Sequence, residues 1–189
     1  MNAKISGTAL SDEELVTKLL STGNSALFSI LYDRYCDVVY SKCYSFADSS
    51  DEAKDLTQEV FLKLYIKLGS FKGMSKFSTW LYAFTYNYCV NYVSRDRAKR
   101  MKRNSVSADD YQHLQVEVDD HSLFQLKVDK LKRGLELIPP EDKMILLLKY
   151  QDDVSIKDLC LLLKINESAV KMRLKRAKAK LIQVCNEQV

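Results

Sequence analysis

Six bases and no acid stand between Lys171 and Lys180, a run that offers charge for pairing with phosphate. A second set has different chemistry. Asp55, Gln58, Glu59 and Leu62 lie along one side of any helix that holds them, two carboxylates and an amide beside one apolar residue. Such a face suits a basic partner helix, although a solvated face reads the same way and spacing leaves both open. Asn87 and Asn91, four residues apart, would present paired amides, groups that can read base edges. They fall among seven aromatics between Phe77 and Tyr92, rings that stack on unpaired bases where they are exposed. No catalytic residue is expected. The only histidines are His113 and His121, and no Cys–His or Ser–His–Asp set can be assembled. The five cysteines form no C-x-x-C pair, so neither metal nor cofactor is expected.

The basic run needs a helix to carry it, and Asn166 caps one. Val170, Leu174, Ala177 and Leu181 recur on its inner face, leaving Lys171, Met172, Lys175, Arg176 and Lys178 pointing elsewhere. A shorter helix precedes it, started by Ser155, with Ile156, Leu159, Leu162 and Leu163 as its buried stripe. Helix, tight turn and basic second helix form the layout of a DNA-reading helix-turn-helix.

Further upstream, Ser11-Asp12-Glu13-Glu14 reads as a capping box, and Gly23-Asn24-Ser25 breaks the helix it starts. A longer helix follows, with Phe28, Leu31, Tyr32, Tyr35, Val39 and Cys43 as its core face. The next begins after Ser49-Ser50, with Leu56, Val60 and Leu64 inward. A loop over Gly69-Ser70-Phe71-Lys72-Gly73-Met74-Ser75-Lys76 leads into the aromatic helix, where Trp80, Phe84 and Tyr88 recur every four residues and are expected in the core. That helix ends in Arg95, Arg97, Lys99, Arg100, Lys102 and Arg103 against the single acid Asp96. These bases fit a clamp on a nucleic-acid backbone, and equally the negative end of a helix dipole.

With 189 residues, 47% of them hydrophobic, most of the chain folds. Five Gly, two Pro and no sustained strand alternation make the fold class all-α. Charge divides the chain into three. Residues 1–103 hold 15 bases and 11 acids, 104–122 no bases and 5 acids, and 123–189 hold 14 bases and 9 acids. The expected organisation is therefore two small helical domains, 1–103 and 123–189, joined by a flexible acidic linker, the second a four-helix domain containing the helix-turn-helix. Cys36, Cys43, Cys89 and Cys160 sit among apolar neighbours and are expected as core thiols in a reducing compartment. No signal-peptide or membrane-spanning stretch is present, so a cytoplasmic protein without membrane insertion is expected.

In this order the motifs resemble the extracytoplasmic-function (ECF) group of bacterial sigma factors, in the sigma-70 family. Asp51 to Tyr65 carries D-L-x-Q-E-x-F, Phe71 to Leu81 carries F-x-G-x-S-x-F-x-T-W-L, and Pro139 to Leu181 is similar to the promoter-reading carboxy-terminal region. The resemblance implies core RNA polymerase as partner, through its clamp coiled-coil and flap, with promoter DNA and an anti-sigma factor as further partners. It implies polymerase docking by Asp55, Gln58, Glu59 and Leu62. Capture of a flipped minus-10 base falls to the loop Ser70, Phe71, Lys72, Gly73, Met74, Ser75 and Lys76 with Asn87, beside the helix residues Asn91, Arg95, Arg97 and Arg100. Minus-35 reading falls to Ser168, Lys171, Met172, Lys175 and Arg176. Three positions depart from the family pattern. Ala83 stands where an Arg or Lys is common, Met172 where a small polar residue is frequent, and Lys164 in a turn position commonly held by Gly. The competing reading is a stand-alone helix-turn-helix regulator of duplex operators.

Overall fold

The start of the first helix is fixed by two reciprocal hydrogen bonds. Ser11 Oγ accepts from the Glu14 amide at 3.2 Å while Glu14 Oε2 accepts from the Ser11 amide at 2.8 Å, the expected capping box. In this computed structural model, which describes residues 10–103 and 128–187 with side chains on the first stretch as far as 95, that helix is α1 (Asp12–Thr22). Gly23, at φ +66°, ends it. Asn24 Oδ1 then accepts from the Ala26 amide to open α2 (Ser25–Tyr44), and Ser49 Oγ accepts from Glu52 to open α3 (Ser50–Lys67). A 3-10 turn over Leu68–Ser70 closes α3, and α4 (Phe77–Arg103) follows the loop.

The chain divides into two compact units, Met1–Cys89 and Val90–Val189, with the division inside α4. The linker expected over 104–122 and the domain start at 123 lie outside the described residues. In the first unit α1 packs on α2 and α2 on α3, burying Leu15, Leu19, Leu31, Val39, Leu56, Val60 and Leu64. Lys42 is buried as well, its ammonium 4.0 Å from the centre of the Tyr82 ring and donating to the Tyr86 hydroxyl at 3.3 Å.

Two core faces are rotated from their expected positions. In α2 the buried seam is Leu27, Leu31, Tyr35, Val39 and Cys43. Phe28 and Tyr32, one residue further round the helix, are half-buried and exposed, with Phe28 edge-on to Tyr65 at 5.0 Å. In α4 the seam is Phe77, Leu81, Thr85 and Cys89 with Tyr86, and Trp80, Phe84 and Tyr88 are only half-buried. Each helix holds two four-residue series, and a step of one residue turns a side chain by about 100°. The thiols are corrected similarly: Cys43, Cys89 and Cys185 are buried, whereas Cys36 and Cys160 are half-buried.

The second unit holds α5 (Val128–Leu137), α6 (Pro140–Leu146) running into a π turn over Leu147–Gln151, α7 (Ile156–Leu163) and α8 (Glu167–Glu187). All described elements are helical, and the described residues 128–187 form the expected four helices. Ser155 and Asn166 cap α7 and α8, accepting from Asp158 at 3.0 Å and Ala169 at 2.8 Å. Val170, Leu174, Ala177 and Leu181 are buried as expected; of the α7 stripe only Leu159 is fully buried, because Ile156, Leu162 and Leu163 lie at its margins. Lys180 reaches Asp142 of α6 at 2.6 Å. Gly134 brings α5 so close to α8 that a Cβ would stand 2.5 Å from Cys185 Sγ and 2.9 Å from Leu181 Cδ1.

Lys164 adopts φ 55°, ψ 43° between α7 and α8. A side chain there costs about 1 kcal/mol that glycine avoids. Lys164→Gly is therefore expected to raise the melting midpoint of the second unit by roughly 4 °C, read by calorimetry on the full chain.

Candidate nucleic-acid and partner-docking faces

α3 sorts its residues by chemistry. Leu56, Val60 and Leu64 are buried together with Ala53, Thr57 and Phe61, and Asp55, Gln58, Glu59 and Leu62 are all exposed on the other side. The apolar end of this stripe is larger than the sequence suggested. Ile66, one turn beyond Leu62, is 71% exposed. Nor does Glu59 stand alone, because the Tyr88 hydroxyl of α4 donates to its carboxylate.

The loop after α3 is fastened at its feet and open at its tip. The Phe71 ring packs 5.5 Å from Phe77 and 5.4 Å from Trp80. Ser70 Oγ donates to the Lys67 carbonyl at 2.6 Å and Lys72 Nζ to that of Gly69 at 3.0 Å. Gly73 sits at φ +66°, a backbone state that glycine adopts without strain. Met74 is 67% exposed, Lys72 and Lys76 are exposed, and Ser75 is half-buried. Trp80 stacks on Phe84 at 5.5 Å. From there Asn87 and Asn91 continue the stripe at helical spacing, both exposed, followed by Arg95, whose Nε donates to the Asn91 carbonyl at 3.1 Å. Trp80 and Phe84 thus border an outward face rather than fill the core. Arg97 and Arg100 lie on α4 beyond the described side chains. Ala83 is buried, so in this chain that position faces away from any phosphate.

On α8, Ser168, Lys171, Met172, Lys175 and Arg176 are exposed together. Lys171 pairs with Glu167 at 2.6 Å. That hydrogen bond holds the Glu167 carboxyl below its ordinary value and the Lys171 ammonium above its own.

Sequence reasoning missed the long-range partners. The Glu13 carboxylate accepts from the Phe77 amide at 2.8 Å. Asp12 accepts from Arg34 at 2.6 Å and from the Tyr35 hydroxyl. The one available signal was negative: Lys76, just before α4, has no side-chain oxygen with which to cap it. Glu14 shows the local counterpart. Its hydrogen bonds to the Ser11 amide and hydroxyl hold it below the ordinary 4.5. A depressed carboxylate stabilises the fold above its unfolded value, and that support drains as pH falls through the native value. Hydrogen-exchange protection of α1 is therefore expected to fall on acidification below about 4.5, and Ser11→Ala to flatten the response.

Among the described residues no group of side chains could hold a metal ion, and no helix is long and apolar enough to cross a membrane.

Two family models match along the chain. Residues 31–99 match Sigma-70 region 2 and residues 129–181 match Sigma-70, region 4. The chain is 25% identical over 168 residues to the ECF RNA polymerase sigma factor SigW of Bacillus subtilis (strain 168), covering 85% of this chain and 90% of that protein. It is 27% identical over 177 residues to the ECF RNA polymerase sigma-E factor of Escherichia coli (strain K12), covering 89% and 91%. Among solved structures, CnrH in complex with the cytosolic domain of CnrY is similar in fold, with a TM-score of 0.58 at 20% identity over 94% of this chain and 99% of that one. So is the sigma factor RpoE in complex with the anti-sigma factor NepR from Bartonella quintana, with a TM-score of 0.59 at 18% identity over 84% and 96%.

Proposed function

Since the chain belongs to the ECF group of the sigma-70 family and is an RNA polymerase sigma factor, we propose how its exposed faces divide the work of promoter recognition. The observation that carries the division is the presence of three chemically distinct exposed faces, one on α3, one on the loop with α4, and one on α8. Asp55, Gln58, Glu59 and Leu62 dock on a basic helical pair of core polymerase, the carboxylates setting orientation and Leu62 supplying the desolvated anchor. Ser168, Lys171, Lys175 and Arg176 meet the minus-35 major groove. Met172 can touch a thymine methyl there but offers no hydrogen bond.

Melting needs no ATP in this scheme. A minus-10 base leaving the stack loses a few kcal/mol, partly recovered in a pocket formed by the loop Ser70 to Lys76 with Asn87. Asn91, Arg95, Arg97 and Arg100 hold the neighbouring backbone. Polymerase fixes the spacing of the two DNA-binding units, raising the effective concentration of the second once the first is bound. The chain carries out no catalysis of its own and works in the cytoplasm with polymerase. An anti-sigma protein that covered the α3 or α8 face would silence it. The stand-alone regulator gains no support, because residues 31–99 match Sigma-70 region 2.

In vitro transcription with core polymerase on a promoter library tests the scheme. The expected outcome is a set of new start sites sharing two motifs at one spacing. An unchanged start-site pattern would overturn it.

A further inference from the structure

The residue before α4 brings no capping side chain. The first helical residue is Phe77, and Lys76 before it has no side-chain oxygen to offer the amides of the first turn. Glu13, 64 residues earlier, supplies the missing acceptor at 2.8 Å. A carboxylate suits that position on two counts, as hydrogen-bond acceptor and as negative charge at the positive end of a helix. Glu13 is unencumbered by α1's own cap, since Glu14 fills that role.

Glu13 and Leu20 are seven residues apart on α1 and so share a face. Leu20 Cδ2 lies 3.9 Å from where a Gly69 Cβ would be, at the loop's departure, and Glu13 holds its return. α1 is itself fastened to α2 by Asp12 through Arg34 and Tyr35. We propose that Glu13 is a positioning residue for promoter melting: by capping α4 from α1 it fixes the loop that captures the flipped base. The proposal rests on the assignment of that loop to base capture.

The test uses the holoenzyme on a promoter recovered from the library, with 2-aminopurine in the minus-10 non-template strand to follow opening. Glu13→Ala is expected to slow opening about fivefold to tenfold, the size of a lost helix cap, with core affinity unchanged. Glu13→Gln, which keeps an acceptor at the same reach, should recover much of the rate. Ser11→Ala breaks the α1 capping box without touching Phe77, so it should lower the melting midpoint and leave opening at 25 °C alone. Opening by Glu13→Ala at the wild-type rate, or equal slowing by Ser11→Ala, would overturn the proposal. Met74→Ala separates it from its parent: if Met74→Ala slows opening and Glu13→Ala does not, only the positioning role fails. If neither slows it, the base-capture assignment fails and the positioning role with it.

Discussion

Glu59→Lys is expected to abolish co-precipitation of core RNA polymerase with the tagged chain while its helical circular dichroism stays intact. The side chain is exposed on α3, and losing the hydrogen bond from Tyr88 costs about 1 kcal/mol, too little to unfold the helix. On the proposed docking the interface loses far more, because reversal removes a carboxylate and places an ammonium against the basic partner expected there. Close charge pairs at protein interfaces are worth about 1.5–7 kcal/mol, so a loss of more than about a hundredfold in affinity is expected. Tyr88→Phe separates charge from orientation. It deletes the hydroxyl that donates to Glu59 but keeps the carboxylate, so capture should weaken and not vanish. Full capture by Glu59→Lys would remove α3 as the docking element.

The second large effect lies in the other unit. Gly134→Val is expected to unfold the α5–α8 contact at a cost of about 3 kcal/mol, the upper range for overpacking a filled core. A single added carbon already meets Cys185 Sγ at 2.5 Å and Leu181 Cδ1 at 2.9 Å. Cys185 and Leu181 are 1% and 2% exposed, so neither has open space to move into, and valine adds two further carbons. Hydrogen exchange should quicken across α5 and α8. Emission from Trp80, the only tryptophan and a first-unit residue, should melt where it does in the parent. Gly134→Ala paired with Cys185→Ala removes the worst contact and should recover most of the protection. Retained protection in Gly134→Val would mean that the helices part without cost.

The capping signals were legible in the sequence because cap chemistry is local. Ser11, Ser155 and Asn166 each bond an amide three residues on, within reach of inspection. The exposed stripes of α3 and α8 were legible for a related reason: unpaired charge is seldom buried, so charged positions mark the outer face. The phase of the core was less so. α4 offers Phe77-Leu81-Thr85-Cys89 and Trp80-Phe84-Tyr88 at the same period, and size pointed to the aromatic set. Packing chose the smaller residues, which allow closer approach. The contacts between Glu13 and Phe77, Glu59 and Tyr88, and Gly134 and Cys185 join residues far apart in the chain. They depend on the docked arrangement of helices and have no local signature.

Six bases on α8 do not amount to six charges available for DNA. Lys180 is half-buried on Asp142, and Lys171 leans on Glu167. If α8 reads the minus-35 duplex as proposed, fewer counterions are displaced there, and the ionic-strength dependence of binding is expected to be shallower than six bases imply. The same added salt that screens phosphate also screens the exposed Lys171–Glu167 pair. On the proposed assignment of α8 to the minus-35 groove, Lys171 is then held less by Glu167 at the salt concentrations where the pull of phosphate is weakest.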